Sequence, residues 1–549
     1  MSRDDRMHAV TDETAVLVDA VLGYARERML STDTPLDHPA TAADLARRAG
    51  RTVTEEGIGA ERALEVFGEV LAPACITTDH PDYLAFIPTA PTKAATAFDL
   101  VVSATAVYGG SWLEGSGAVH AENEVLTFLA AEFGLPDGAG GVFVQGGTLG
   151  NLSALVAARE SAVARRRDRG GRAGRAGRSG SAASAEPSSG TFAPSDDSAA
   201  PSDGRTGTSV EPAARPDDSP TAADGSIRPA GESIDRSGGF TAAPDGSTGP
   251  TAESTALPDH PTASPGRWVV VCNAEAHSSI ASAARVMDVD IVTVDPGESG
   301  VLTGAAVRPV LEQYGERVFA VVATAGSTNF GIVDDLASIA ALKDEFEFWL
   351  HIDGAYGLAG MLSPLARPYF SGVERADSLI VDPHKWLFAP FDACALIYRD
   401  PEAGRRAHTQ HAEYLDTLTE AVEWSPSDYA VQLTRRARGL PLWFSLASHG
   451  AGAYRDAITS SIRLARRVAD EIESRPTLHL VRHPQLSVVV FERDGWSKED
   501  YAAWSTRLLD AQRAFVTPSS HAGRPAARFA LLNPRTTFES LVGILDSME

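Results

Sequence analysis

ADSLIVDPHKW, residues 376–386, reads as an apolar strand that ends in Asp-Pro-His-Lys, and the rest of the chain can be organised around it. Lys385 follows aliphatic side chains and a proline, a costly place for an ammonium group that must give up its water. Such a position is tolerated when the charge is shifted, or when the amine is consumed by forming an imine. A lysine that simply reaches the surface at a strand end explains the motif equally well when it stands alone.

Other segments add to it. HIDGAY, residues 351–356, puts Asp353 at the end of a second apolar strand, where an open α/β sheet builds its ligand crevice. An ionised carboxylate there suits a pyridine nitrogen that must stay protonated for the ring to act as an electron sink. Capping the next helix is the plainer role for Asp353. QGGTLGN, residues 145–151, is a glycine-rich turn between a strand and a helix, and with the Thr148 hydroxyl it makes an anion cradle. It has neither the lysine of a P-loop nor the GxGxxG spacing of a dinucleotide fold, so a single phosphate monoester fits it better. His277, in AEAHSSI, follows a further strand and is placed to stack on a flat ring, although a lone histidine is more often structural.

Between these motifs, strands and helices alternate. Apolar strands are predicted at 141–145, 267–272, 291–294, 318–324, 348–352, 379–381 and 394–398, with helices at 151–164 and 278–287. That order implies an α/β fold with a mainly parallel sheet covered on both faces. Before about residue 110 the pattern is mostly helical, with ETAVLVDAVLGYARERML its clearest amphipathic run. After about residue 400, helices mix with a late strand pair, LHLVRH and LSVVVFER. From Arg165 to about residue 266 the composition turns to Gly, Ser, Pro, Asp and Ala with no Trp or Tyr, which predicts a disordered insertion without a catalytic role.

With 549 residues, 43% of them hydrophobic, the chain can bury a large core of two or three packed units. A formal charge of −25 argues against a nucleic-acid partner. No apolar run has the length of a signal peptide or a membrane span, and the three cysteines lack any CxxC pair. These features point to a cytoplasmic protein with three ordinary buried thiols and no metal site. The HxxH pair His408/His411 reads as a solvated loop without further ligands.

The four motifs, in this order, resemble the pyridoxal 5′-phosphate (PLP)-dependent group II amino-acid decarboxylases, which include the aromatic-amino-acid and glutamate decarboxylases. The likeness runs from HPDYLAFIPTAP (80–91) through SWLEGSGAVHAENE, QGGTLGNLSALVAAR, AEAHSSI, VVATAGSTNFG, WLHIDGAYG and DPHKW to RFALLNPRTTF. It implies the PLP-dependent transferase fold, aspartate aminotransferase-like and of fold type I, with a seven-stranded sheet in the large domain. The implied division is a helical segment at 1–110 that packs across a homodimer, a PLP-binding domain at 111–399 interrupted at 165–266, and a small α+β domain at 400–549.

The resemblance also implies roles. Lys385 carries the cofactor as a Schiff base, Asp353 pairs with the pyridine nitrogen, His277 stacks on the ring and Ala355 packs on its other face. Gly147, Thr148 and His384 surround the phosphate, and Thr324 and Ser327 lie near the ring oxygen. Thr89 and Arg528 attend the substrate carboxylate. Phe86 and Trp112, with Tyr83 and Tyr108, are candidates for an aromatic wall, and Gly110 stands where a bulkier contact would narrow the pocket.

The implied reaction is decarboxylation of an L-amino acid, aromatic favoured, to an amine and CO₂. In such enzymes a loop from the neighbouring subunit brings a tyrosine to protonate Cα. Here that loop falls within 407–436, where Pro426 stands near the tyrosine position, Tyr429 follows it and Tyr414 precedes it. This departure leaves open an aldehyde synthase or carbon–carbon lyase on the same fold, and a non-catalytic scaffold is a further alternative.

Overall fold

The computed structural model describes residues 7–179, 266–410 and 423–549. Seven apolar stretches form strands Gly140–Val144 (β1), Val269–Asn273 (β2), Asp290–Val294 (β3), Val318–Thr324 (β4), Trp349–Asp353 (β5), Ser378–Val381 (β6) and Cys394–Tyr398 (β7). They build one sheet in the order β1-β7-β6-β5-β4-β2-β3. Only β7 runs against its neighbours, so the sheet is mainly parallel as predicted. Every residue of β1, β2, β4, β5, β6 and β7 is buried, which is why these strands read as continuous apolar runs.

Alternate residues feed two cores. Val269, Val271, Val321, Ala323, Leu379 and Val381 pack into one layer, while Val270, Cys272, Ala320, Val322 and Ile380 face the other. Because β1 and the parallel strands share a direction, Val144, Asn273, Thr324, Asp353 and Val381 all end at the same edge. Thr324, Asp353, the Lys385 segment after β6 and the glycine turn after β1 therefore share one edge of the sheet.

A second, antiparallel sheet is built from Leu478–Leu480 (β8), Val488–Arg493 (β9), Ser519–His521 (β10) and Arg524–Ala530 (β11), ordered β10-β11-β9-β8. The segment HPDYLAFIPTAP is stitched to it: Leu84 N–H donates to Phe515 O at 2.9 Å, and Ala530 N–H to Leu84 O at 2.9 Å.

Several expectations need correction. The helix after β1 spans Gly146–Ser179 and does not stop near residue 164. The arginine run is a paired helix face: Arg169 bonds Glu347 at 2.5 Å and also Glu316, while the Arg166 guanidinium lies 3.8 Å over the Trp268 ring. The remainder of the expected insertion, 180–265, lies outside the described residues. Cys75 is exposed, whereas Cys272 and Cys394 are buried as expected. His408 is a core residue whose Nε2 bonds Ser153 O at 3.0 Å, and burial pulls its pKa down to about 4. His411 lies outside the described residues. Helix Asp12–Leu30 buries none of its residues, so its apolar side chains stay exposed. Among the described residues, no helix is long and apolar enough to cross a membrane.

One buried ion pair anchors the helix Trp112–Glu132 to the segment before the helix Leu440–Glu473. Arg435 makes two bonds to Glu122, at 2.7 and 2.8 Å, and Gly439 N–H donates to Glu122 Oε1 at 2.7 Å. Removing one partner strands the other charge in the core. Glu122→Ala is therefore expected to cost about 3–5 kcal/mol in a chemical-denaturation experiment on the apoprotein. A change under about 0.5 kcal/mol would show that the pair is relieved by water or rearrangement.

Candidate active site

Lys385 stands just past β6, its side chain 22% exposed, with Nζ 3.0 Å from Asp382 Oδ2. Burial works against its ammonium form, but the Asp382 and Asp353 carboxylates outweigh that and hold its pKa above the ordinary value. Asp382 is almost completely enclosed, and its Oδ1 has no hydrogen-bond partner. The same carboxylate lies against the glycine turn: a Cβ on Gly147 would come within 3.1 Å of Asp382 Oδ2. Gly150 is as restricted, since a Cβ there would meet Cys394 Sγ at 2.8 Å. The turn can approach the Lys385 segment so closely only because it lacks side chains. Thr148 is exposed in the first turn of the helix, and His384 sits beside the cluster with Nε2 3.7 Å from Asp382 and Nδ1 2.7 Å from Ala393 O.

Asp353, at the end of β5, is buried and held from two sides. Ala355 N–H donates to Oδ1 at 3.2 Å and Asn151 Nδ2 to Oδ2 at 2.9 Å. Asn151 also donates to Ser279 Oγ at 2.9 Å, and its Oδ1 lies 2.8 Å from His351 Nε2. His277 is the N-cap of helix Ser278–Met287; its ring is exposed, with Nδ1 2.8 Å from Ser279 Oγ. Thr324 lies opposite Asp353 in the β4–β5 register, and its buried Oγ1 has no partner. Its N–H donates to Asp334 Oδ2 at 2.7 Å, a carboxylate pushed up to about 6 by burial. Ser327 is buried in the loop after β4 and accepts from Ile332 N–H at 3.3 Å.

Of the carboxylate candidates, Thr89 sits on the loop stitched to the second sheet and Arg528 on β11 of that sheet. Thr89 is buried and donates to Ala389 O at 3.0 Å, beside the Lys385 segment. Arg528, 4% exposed, donates to Phe86 O, while its Nε is unpartnered and it forms no ion pair among the described residues. Burial lowers its pKa to about 10.

The expected aromatic wall divides in two. Tyr83 and Phe86 meet through Phe515, at ring separations of 5.0 and 6.2 Å, whereas Tyr108 and Trp112 bond to Leu433 and Ser425. Gly110 does not open a pocket, because a Cβ there would fall 2.3 Å from Tyr108 Oη and the ring already fills that space. Tyr429 is buried, stacked 4.1 Å from Trp424, and burial pushes its phenol up to about 12. Tyr414 lies outside the described residues.

Residues 252–493 match the pyridoxal-dependent decarboxylase conserved domain. That match covers a little under half of the chain. It is 24% identical over 520 residues to the aromatic-L-amino-acid decarboxylase of Bacillus atrophaeus, covering 91% of this chain and 87% of that one. To the L-2,4-diaminobutyrate decarboxylase of Acinetobacter baumannii it is 24% identical over 447 residues, covering 80% and 72%. The fold matches the crystal structure of Oryza sativa TDC with PLP and tryptamine at a TM-score of 0.73 and 20% identity, covering 100% and 98% of the two chains.

The chain thus has the fold-type-I architecture implied by its motifs, and it is a PLP-dependent carboxy-lyase acting on an amino acid. Its residues fit the cofactor: a lysine amine opening on the crevice, a held carboxylate, a glycine turn at a helix start, and an unpartnered Thr324 hydroxyl. Asn151, Ser279, His351 and Asp382 carry no role in the sequence reading. Asp382 alone had a local signal, as an acid preceding Pro-His-Lys.

Proposed function

We propose that the chain decarboxylates an aromatic L-amino acid to the corresponding amine. The carrying observation is Arg528, a buried guanidinium without an ion-pair partner among the described residues, bonded to the backbone of the loop that presents the exposed Phe86. A buried cation without a counter-charge invites a carboxylate, and Phe86 with Phe515 offers an apolar face for an aryl side chain.

Bound at Lys385, PLP supplies an electron sink for the pair left when CO₂ departs. Asp382 Oδ2 is the acceptor for a proton leaving Lys385 Nζ, 3.0 Å away, which frees the amine to hold the cofactor. Asp353, kept in place by Asn151 and Ala355, holds a proton on the pyridine nitrogen. His277 and Ala355 cover the two faces of the ring. Gly147, Thr148 and His384 receive the phosphate, and Thr324 and Ser327 the ring's oxygen side. Arg528 and Thr89 orient the departing carboxylate, while Phe86 meets the side chain. Lys385 Nζ returns to release the amine. Tyr429, buried against Trp424, needs a rearranged loop to donate to Cα. A cytoplasmic homodimer, with the divisions near residues 110 and 400, belongs to the same proposal.

The test is CO₂ release and amine product across aromatic, acidic, diamino and imidazole amino acids. An aromatic substrate is expected to exceed 2,4-diaminobutyrate in kcat/KM by about 10²-fold or more. A preference for the diamino acid would overturn the substrate, and aldehyde with ammonia and peroxide would overturn simple decarboxylation.

A further inference from the structure

We propose that Asn151 is a positioning residue that sets Asp353 and His277 together, through one polarised chain of hydrogen bonds. Asn151, Ser279, His351 and Ser378 are all buried, and four elements contribute to the chain. Trp349 Nε1 lies 2.8 Å from Ser378 Oγ, which lies 2.8 Å from His351 Nδ1. His351 Nε2 lies 2.8 Å from Asn151 Oδ1, and Asn151 Nδ2 lies 2.9 Å from both Asp353 Oδ2 and Ser279 Oγ. Ser279 Oγ lies 2.8 Å from His277 Nδ1, which also accepts from Ser279 N–H at 3.2 Å.

The direction of every bond follows from the chemistry of its ends. An ionised Asp353 only accepts, so the Asn151 amide must turn its NH₂ toward it, and the reverse orientation would oppose two oxygens. Asn151 Oδ1 then accepts, which requires a hydrogen on His351 Nε2. Burial holds the His351 pKa down to about 4, so the ring is neutral and its Nδ1 has no hydrogen. Ser378 must therefore donate to it, and the Trp349 N–H, which can only donate, fills the remaining place on Ser378 Oγ.

On the other branch, Ser279 Oγ accepts from Asn151 and passes its own hydrogen to His277 Nδ1. Because Nδ1 accepts from the Ser279 N–H, the His277 ring hydrogen is left on Nε2, where it has no partner among the described residues. The carboxylate assigned to the ring nitrogen and the imidazole assigned to the ring face thus share one amide, so disturbing Asn151 disturbs both.

This rests on the proposed pairing of Asp353 with the pyridine nitrogen, and the experiment separates the two. Holoenzyme is prepared with ¹⁵N-labelled histidine rings and, separately, with ring-¹⁵N PLP. In the wild type, His277 is expected to show the Nε2–H tautomer; an Nδ1–H tautomer would overturn the proposal without any variant.

In Asn151→Ala the cofactor nitrogen is expected to lose protonation, and PLP affinity to weaken about tenfold. The kcat should fall about tenfold or more with KM within about twofold, while the melting temperature of the apoprotein monitors folding. Wild-type nitrogen shift and affinity in Asn151→Ala, with protonation lost in Asp353→Asn, would overturn the relay alone. A protonated nitrogen in both variants would overturn the Asp353 reading beneath it. If Asn151→Ala does not fold, Ser279→Ala carries the test. It removes the hydroxyl between Asn151 and His277, and an unchanged kcat there would overturn the coupling.

Discussion

Replacing Lys385 by alanine is expected to lower CO₂ release by at least about 10³-fold, roughly 4 kcal/mol in the barrier, and to abolish the visible absorbance of lysine-bound PLP. The geometry explains why no neighbour can substitute. Lys385 Nζ is held at 3.0 Å by Asp382 and biased by Asp353, and no other lysine or arginine forms an ion pair with either carboxylate among the described residues. His384 Nε2 stands 3.7 Å from Asp382, but its Nδ1 is tied to Ala393 O and it cannot reach as far as a lysine arm. Absorbance by dialysed, PLP-reconstituted protein and CO₂ capture from the same sample give the two readings. A variant that keeps its turnover would remove Lys385 from the mechanism.

Asp353→Asn is expected to cut decarboxylation by about 10²–10³-fold, roughly 3–4 kcal/mol, while PLP remains attached to Lys385. The substitution changes almost no volume, so the effect isolates the charge. A neutral amide cannot hold a proton on the pyridine nitrogen. Both oxygens of Asp353 accept, Oδ2 from Asn151 at 2.9 Å and Oδ1 from Ala355 N–H at 3.2 Å, so the new NH₂ would oppose a donor in either orientation. Single-turnover kinetics on the reconstituted variant separate chemistry from release, and a chemical step within about twofold of wild type would show that the ring nitrogen needs no carboxylate.

The fold was legible because its signals are local. A strand buried on both faces is mostly apolar, and β1, β2 and β4 to β7 are buried along their whole length with polar residues few and mainly at their ends. Lys385, Asp353 and the glycine turn lie at strand ends, where a polar residue after an apolar run stands out. Composition misled at Arg165, because a run of arginines looks the same whether solvated or paired; Glu316, Glu347 and the Trp268 ring decide it from far along the chain. Gly110 misled for a related reason: a glycine marks a missing side chain, and only the fold shows that the Tyr108 ring occupies the place.

The sequence by itself determined an α/β sheet with a lysine, a carboxylate and an anion-binding turn at its strand ends, since periodicity and residue chemistry are properties of neighbouring positions. Tertiary structure alone decided which polar side chains support them. Asn151 reaches Ser279, His351 and Asp353 across 128, 200 and 202 residues. Arg435 meets Glu122 across 313. Which strand lies beside which sets those partners: β5 beside β6 pairs His351 with Ser378 in register. A hydrogen bond forms only within about 3 Å, and closeness in space between residues so far apart along the chain is created by folding.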